Sequence, residues 1–222
     1  MSLIGASKPR GRRTGAIPVA VASVLSLGLL APGSGAAESI PDPAVIVVAE
    51  LHAALAAVMR EADALGFEGR RERLDPILRA RFDFPFMARN AVGRYWRELA
   101  DAQRTELVAA LSELAISTYA ARFSGFDGER FETLGREEAS HETVMVKTRI
   151  VPGSGDEIPL DYRLRQDVNG RWRIIDVFLN GTVSELALRR AEYSSVIKRD
   201  GFPALLTALG ERASEQAAAA SN

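Results

Sequence analysis

No cysteine occurs anywhere in this chain, so it can form no disulfide, no thiolate metal site, no thiol nucleophile and no lipid-modified N-terminal cysteine. Core packing alone must hold the fold. Histidine is nearly as scarce, with only His52 and His141, too few for a histidine-rich metal centre. His52 lies in the stripe Val45, Val48, His52, Leu55 and Met59, which is the setting of a core-edge histidine with a hydrogen-bond partner. His141 follows Ala139-Ser140 and reads as a solvated strand end. Gly-x-Ser-x-Gly, Walker and His-Glu-x-x-His motifs are all missing, which removes support from serine hydrolysis, phosphoryl transfer and zinc proteolysis. Neither a metal nor a cofactor is expected. Lysine is rare too: arginine supplies 25 of the 28 basic residues, so several arginine-carboxylate contacts are expected.

What is present begins with an export signal over residues 1–37. A basic stretch, Lys8-Pro9-Arg10-Gly11-Arg12-Arg13, precedes an apolar core over 16–31 and small residues over 33–37, the order of a secretory signal. That core is short for a spanning helix and contains Pro18, so cleavage after Ala36 or Ala37 is expected, with tethering by an uncleaved signal as the alternative. The first acidic residue is Glu38, and removing the four basic residues before it takes the formal charge from −1 to −5. A mildly acidic mature chain has no overall electrostatic reason to bind nucleic acid. Exported, acidic and free of cysteine, the domain fits the Gram-negative periplasm.

The remaining length suits one core. Apolar residues recur at helical spacing over 42–66, over 70–82 with a break expected near Pro76, over 84–99, and over 101–124 with Asp101 as the expected N-cap. Beyond Gly125 and Gly128 the period becomes that of strands, over 131–138, 142–151, 157–166 and 172–179. The turns Pro152-Gly153-Ser154-Gly155-Asp156 and Asp167-Val168-Asn169-Gly170 close hairpins, so an antiparallel meander is expected. Thr182-Val183-Ser184-Glu185 opens a helix that stops at Asp200-Gly201, and Pro203 opens a last short one to about residue 212. A single domain over 38–213 and a disordered tail over 214–222 follow. Helices, meander and helices make an α+β domain, a curved antiparallel sheet of about four strands against a helical layer.

Several motifs together carry a resemblance. They are Phe82-Asp83-Phe84, Met87-Ala88-Arg89, Gly93-Arg94-Tyr95-Trp96, Gln103-Arg104, Thr118-Tyr119-Ala120, Ile158-Pro159-Leu160-Asp161-Tyr162-Arg163-Leu164 and the run 172–202. In this order they resemble the MlaC-like, toluene-tolerance family of auxiliary proteins to ABC lipid transporters, over about residues 42–210. Arg122-Phe123-Ser124-Gly125-Phe126 and the segment 184–193 resemble its hopanoid-biosynthesis-associated branch, HpnM. The resemblance implies a periplasmic carrier of phospholipid or hopanoid, with a sheet shaped like the NTF2-like cone and a lipid pocket between sheet and helices. It also implies partners in an inner-membrane lipid transporter and an outer-membrane component.

The candidate lipid-lining residues are Phe86, Met87, Val92, Trp96, Tyr119 and Phe123 on helices, and Val144, Val146, Tyr162, Leu164, Ile175, Val177 and Leu179 on strands. Burying apolar carbon favours such a lining, but the same pattern also describes a filled core. Arg94, Arg189 and Arg190 are candidate contacts for a headgroup or a partner, through bidentate bonds to phosphate. Two other readings stand beside the carrier. One is a scaffold of a lipid-export machine that carries nothing. The other is a ketosteroid-isomerase-like enzyme built on Asp161, Tyr162 and Asp176, against which Asp161 alternates with the apolar row and Asp176 can be satisfied by arginines or at a helix start.

Overall fold

The computed structural model describes residues 42–220; the expected export signal lies outside the described residues. Asp42 starts the first helix, α1 (Pro43–Arg60), by accepting a hydrogen bond from the Ala44 amide at 2.8 Å, with Pro43 in the first turn. Val48, Leu51, Leu55 and Val58 form its buried face. The next helix, α2 (Ala62–Arg81), has a kink at Gly66, where the first helical stretch is expected to end, and departs from the expected pattern at Pro76. Its backbone turns at Gly66 (φ 59°, ψ −174°) and runs straight through Pro76. A left-handed φ there favours glycine. Pro76 removes one backbone hydrogen bond, but fully buried Leu74 and Leu78 on either side keep the helix in place. Arg70 fastens it further, donating from Nε to the Ala120 carbonyl at 2.8 Å and from Nη1 to the Ala62 carbonyl at 3.1 Å.

Asp83 caps α3 (Phe84–Val92) by accepting from the Phe86 amide, and a 3-10 turn (Gly93–Arg97) follows. In α4 (Asp101–Arg122) the N-cap is Ala100 rather than Asp101, because the Gln103 side chain accepts from the Ala100 amide at 2.9 Å. The sheet is a meander in the order β1 (Arg130–Ala139), β2 (Thr143–Val151), β3 (Ile158–Gln166), β4 (Trp172–Leu179) and β5 (Val183–Ser184), all antiparallel. The two-residue β5 extends the expected four strands. His141 sits in the β1–β2 turn at φ 61°, not at a strand end.

Ser184 caps α5 (Glu185–Asp200), accepting from the Ala187 amide, and Gly201 ends it at φ 86°. The last helix, α6 (Phe202–Ala220), corrects the disordered tail. It continues to Ala220, and Ala217 and Ala220 pack against the core. Alanine loses no side-chain entropy in a helix and has the highest helix propensity.

Two apolar cores result. One joins α1, α2 and part of α4 to the inner face of the sheet; the other lies among α3, α4, α5 and α6. Cross-strand register assigns the inner face, since paired residues project to one side. Val144 lies opposite Leu164, Val146 opposite Tyr162, Tyr162 opposite Val177, Leu160 opposite Leu179, and Ile150 opposite Ile158. A bulge in β4 between its pairs to Arg163 and Leu164 leaves Ile175 unpaired.

Candidate functional site

A cavity of about 410 Å3 opens at the seam between the two cores. Leu78, Phe82, Phe84 and Leu160 reach it from the first core, and Ala91, Leu114 and Tyr193 from the second. The helices add Met87, Leu111, Ala115, Tyr119, Phe123 and Leu186, and the strands Ile150, Ile158, Val177 and Leu179. Among the described residues, only Thr118, Arg122, Glu185 and Arg189 in the wall are polar beyond the hydroxyls of Tyr119 and Tyr193. Arg122 is exposed and Ile158 is 45% exposed, so the wall reaches solvent beside them.

Aromatic packing stiffens one side. Phe84 stacks on Phe82, Phe82 meets Tyr119 edge-on, and Tyr119 stacks on Phe123, with centroid separations of 5.6, 5.8 and 5.6 Å. The file continues through Phe131 to His52, which stacks on it at 4.5 Å. Such rings hold a wall open because they have few rotatable bonds and cannot collapse into the space as methionine does.

Arg189 lies 3.7 Å from Glu185 and 3.4 Å from Glu192, and Glu192 also pairs with Arg212. Arg122 has no carboxylate within ion-pair distance among the described residues. Burial pushes the Tyr119 phenol above its ordinary range and the Tyr193 phenol up to about 12. The Tyr193 hydroxyl is buried without a hydrogen-bond partner among the described residues.

Of the candidate residues, Met87, Tyr119, Phe123, Val177, Leu179 and Arg189 line the cavity. The structure places Val144, Val146, Tyr162 and Leu164 elsewhere. They face the same side of the sheet but are fully buried in the first core and do not line the cavity. Val92 is buried in the second core, Ile175 is buried beside the bulge, and the Phe86 ring lies beneath the Arg165 guanidinium at 4.2 Å. Arg94, Arg190 and Trp96 belong to a separate polar cleft of about 500 Å3, with Arg89, Asn90, Gly93, Arg97 and Glu98. The largest group missed by the candidate list is the row Leu111, Leu114, Ala115 and Thr118, one face of α4 that leads to Arg122. The i, i+3, i+4 spacing that picked Tyr119 and Phe123 contains it.

The carboxylates of the isomerase reading are fixed in structural roles. Asp176 accepts from the Ser184 hydroxyl at 2.6 Å, the Leu186 amide at 3.0 Å and the Val177 amide at 2.9 Å, joining β4 to the start of α5. Asp161 accepts from Lys147 Nζ at 2.6 Å and from the Thr148 amide at 2.9 Å. Tyr162 and His52 share a buried 3.0 Å hydrogen bond, and burial lowers the His52 pKa to about 4. Neither Asp161, Tyr162 nor Asp176 lines the cavity.

The sequence profile of the MlaC protein family matches residues 49–211. A solved structure of a phospholipid-binding protein from Ralstonia solanacearum, in complex with a phospholipid, aligns with a TM-score of 0.69 and 22% identity. The alignment covers 79% of this chain and 99% of that one, which shows a shared fold. The curated proteins contain no match.

Proposed function

We propose, from a chain that belongs to the MlaC family, that the cavity binds a membrane lipid and that the protein is a periplasmic lipid carrier. The observation that carries this reading is the distribution of polarity. Among the described residues, the apolar cavity has its charged groups confined to Arg122, Glu185 and Arg189, which suits a molecule with a hydrocarbon part inside and a polar end at Arg122. A cavity of this size favours a carrier over a scaffold, whose interior would be close-packed. The Ralstonia solanacearum protein was solved with a phospholipid, which favours phospholipid as the ligand; the HpnM-like motifs keep hopanoid as the alternative. The segment 1–37 supports export, and membership of the family supports exchange with an inner-membrane transporter and an outer-membrane component.

Carriage requires reversible binding. Each buried methylene is worth about 0.8 kcal/mol, so the cavity must nearly match the bilayer for the same chain, and a partner must tip the balance. Stripped of lipid and mixed with phospholipid vesicles, the mature protein is expected to take up lipid and to release it to acceptor vesicles. Failure to take up phospholipid or hopanoid from any vesicle rules the carrier out.

A further inference from the structure

We propose that the cleft bounded by α3, the 3-10 turn and α5 is a second, anion-binding site that takes a phosphate group. Four exposed arginines, Arg89, Arg94, Arg97 and Arg190, line it, with Glu98 as the one carboxylate among the described residues of its wall. Among the described residues none of these four arginines has an ion-pair partner, although most others in the chain do, such as Arg71, Arg79, Arg149, Arg165 and Arg173. Four like charges around one concavity repel each other and raise the local potential for an anion.

Two of the four arginines are placed by their neighbours. Gly93 adopts φ 57° and ψ −121°, and the Arg190 guanidinium occupies the space a side chain there would take. A Cβ at residue 93 would lie 3.2 Å from Arg190 Nε and 3.3 Å from Nη2. Glycine therefore supplies both the backbone conformation and the room for Arg190. Arg94 is held by its Nη2, which donates to the Tyr95 hydroxyl at 3.1 Å, and lies over the Tyr95 ring at 5.0 Å. Trp96 is pinned by Arg104, which donates from Nε to the Trp96 carbonyl at 3.1 Å and covers the ring at 5.6 Å. Arg94 and Arg190, placed by these neighbours, lose less freedom on forming bidentate bonds than unrestrained arginines would.

Phosphate fits this arrangement better than a lone carboxylate, because its several anionic oxygens around one centre can engage several guanidinium forks together. The cleft is also distinct from the lipid cavity. Met87 and Ala91 of α3 and Leu186, Arg189 and Tyr193 of α5 line the cavity, whereas Arg89, Asn90 and Gly93 of α3 and its end, with Arg190 of α5, line the cleft. The two helices are the wall between them. The phosphate therefore comes from free solution or from a lipid headgroup in an opposing bilayer, not from the lipid in the cavity.

Trp96 supplies the readout, and replacing the chain's other tryptophan by Trp172→Phe isolates its emission. This protein is titrated at constant ionic strength with inorganic phosphate, with phosphatidylglycerol vesicles, with phosphatidylcholine vesicles and with a ten-residue glutamate peptide. Calorimetry on the unaltered protein repeats each titration, so a Trp172→Phe chain that folds poorly does not decide the outcome. A saturable response to phosphate, weakened at least tenfold in Arg89→Gln/Arg190→Gln with cavity lipid unchanged, supports a site for free phosphate. A response to phosphatidylglycerol vesicles alone, lost in the same variant, supports headgroup binding at a bilayer surface. No response to either, equal responses in the double variant, or binding only to the glutamate peptide overturns the proposal.

Discussion

A tryptophan placed at Val177 is expected to empty the cavity of lipid without unfolding the protein, whereas one placed at Val146 is expected to damage the fold. The two valines face the same side of the sheet, each paired across to Tyr162. Val177 lines the cavity, and Val146 is completely buried in packed side chains. Forcing extra volume into a packed core costs about 1 to 3 kcal/mol and sometimes more, so Val146→Trp should lower Tm clearly. At Val177 the indole enters existing space and loses only the apolar contacts of the ligand. If it displaces about four methylenes, at about 0.8 kcal/mol each, lipid binding weakens by about 3 kcal/mol, or roughly two orders of magnitude. Thermal melts by circular dichroism read the first effect, and displacement of a fluorescent phospholipid from the delipidated protein reads the second. A Val177→Trp protein that folds and binds lipid with unchanged affinity would refute the assignment of this wall, as would a Val146→Trp protein that folds normally and loses lipid equally.

His52 makes stability depend on pH. Burial lowers its folded pKa from 6.5 to about 4, so the unfolded chain takes up a proton first as pH falls; the contribution is intact above pH 6.5, declines between 6.5 and 4, and totals about 3 kcal/mol. Urea unfolding at pH 7, 5 and 4 should show that loss in the wild type and a smaller one in His52→Gln; parallel curves would contradict it. Tyr193→Phe should leave stability unchanged or raise it by about 1 kcal/mol, since it removes a buried hydroxyl without a partner, while Tyr193→Ala should cost about 3 to 5 kcal/mol; denaturant midpoints decide between these. Asp176→Ala should destabilise by about 3 kcal/mol, because it strips acceptors from the Ser184 hydroxyl and the Val177 and Leu186 amides. Unchanged stability in Asp176→Ala would free that carboxylate for chemistry.

Locally encoded features were the most readable in the sequence. Hairpin turns and the Gly201 stop each depend on a few adjacent residues and appear where the chain predicts them, whereas the cap of α5 falls on Ser184, two residues beyond the Thr182 of the expected capping box, because Val183 and Ser184 pair as β5 first. Alternation along β3 identified the inward face, but not how far along that face the helices pack, and β4, apolar on both faces, did not identify its own. That depth separates Val177 and Leu179 in the cavity wall from Val146 and Tyr162 in solid core. It depends on where α1 packs Leu51 and Leu55 into that core and bonds His52 to Tyr162, a tertiary fact with no signature in the strands. The same limit separates Arg189 from Arg190. Neighbours in sequence lie about 100° apart around a helix, so one reaches the cavity and the other the arginine cleft. Pro76 and the terminal alanines misled in opposite ways, because burial beside Pro76 overrode a helix breaker, whereas helix propensity and packing ordered a segment with little apolar pattern.

The measurement that bears most directly on the central claim is mass spectrometry of lipid extracted from the protein, purified without detergent, alongside the intact complex under native conditions. The account predicts co-purifying phospholipid or hopanoid, held in the cavity and depleted in the Val177→Trp protein. A preparation without lipid that also takes up none from vesicles, or one whose lipid content is the same in Val177→Trp, would contradict it.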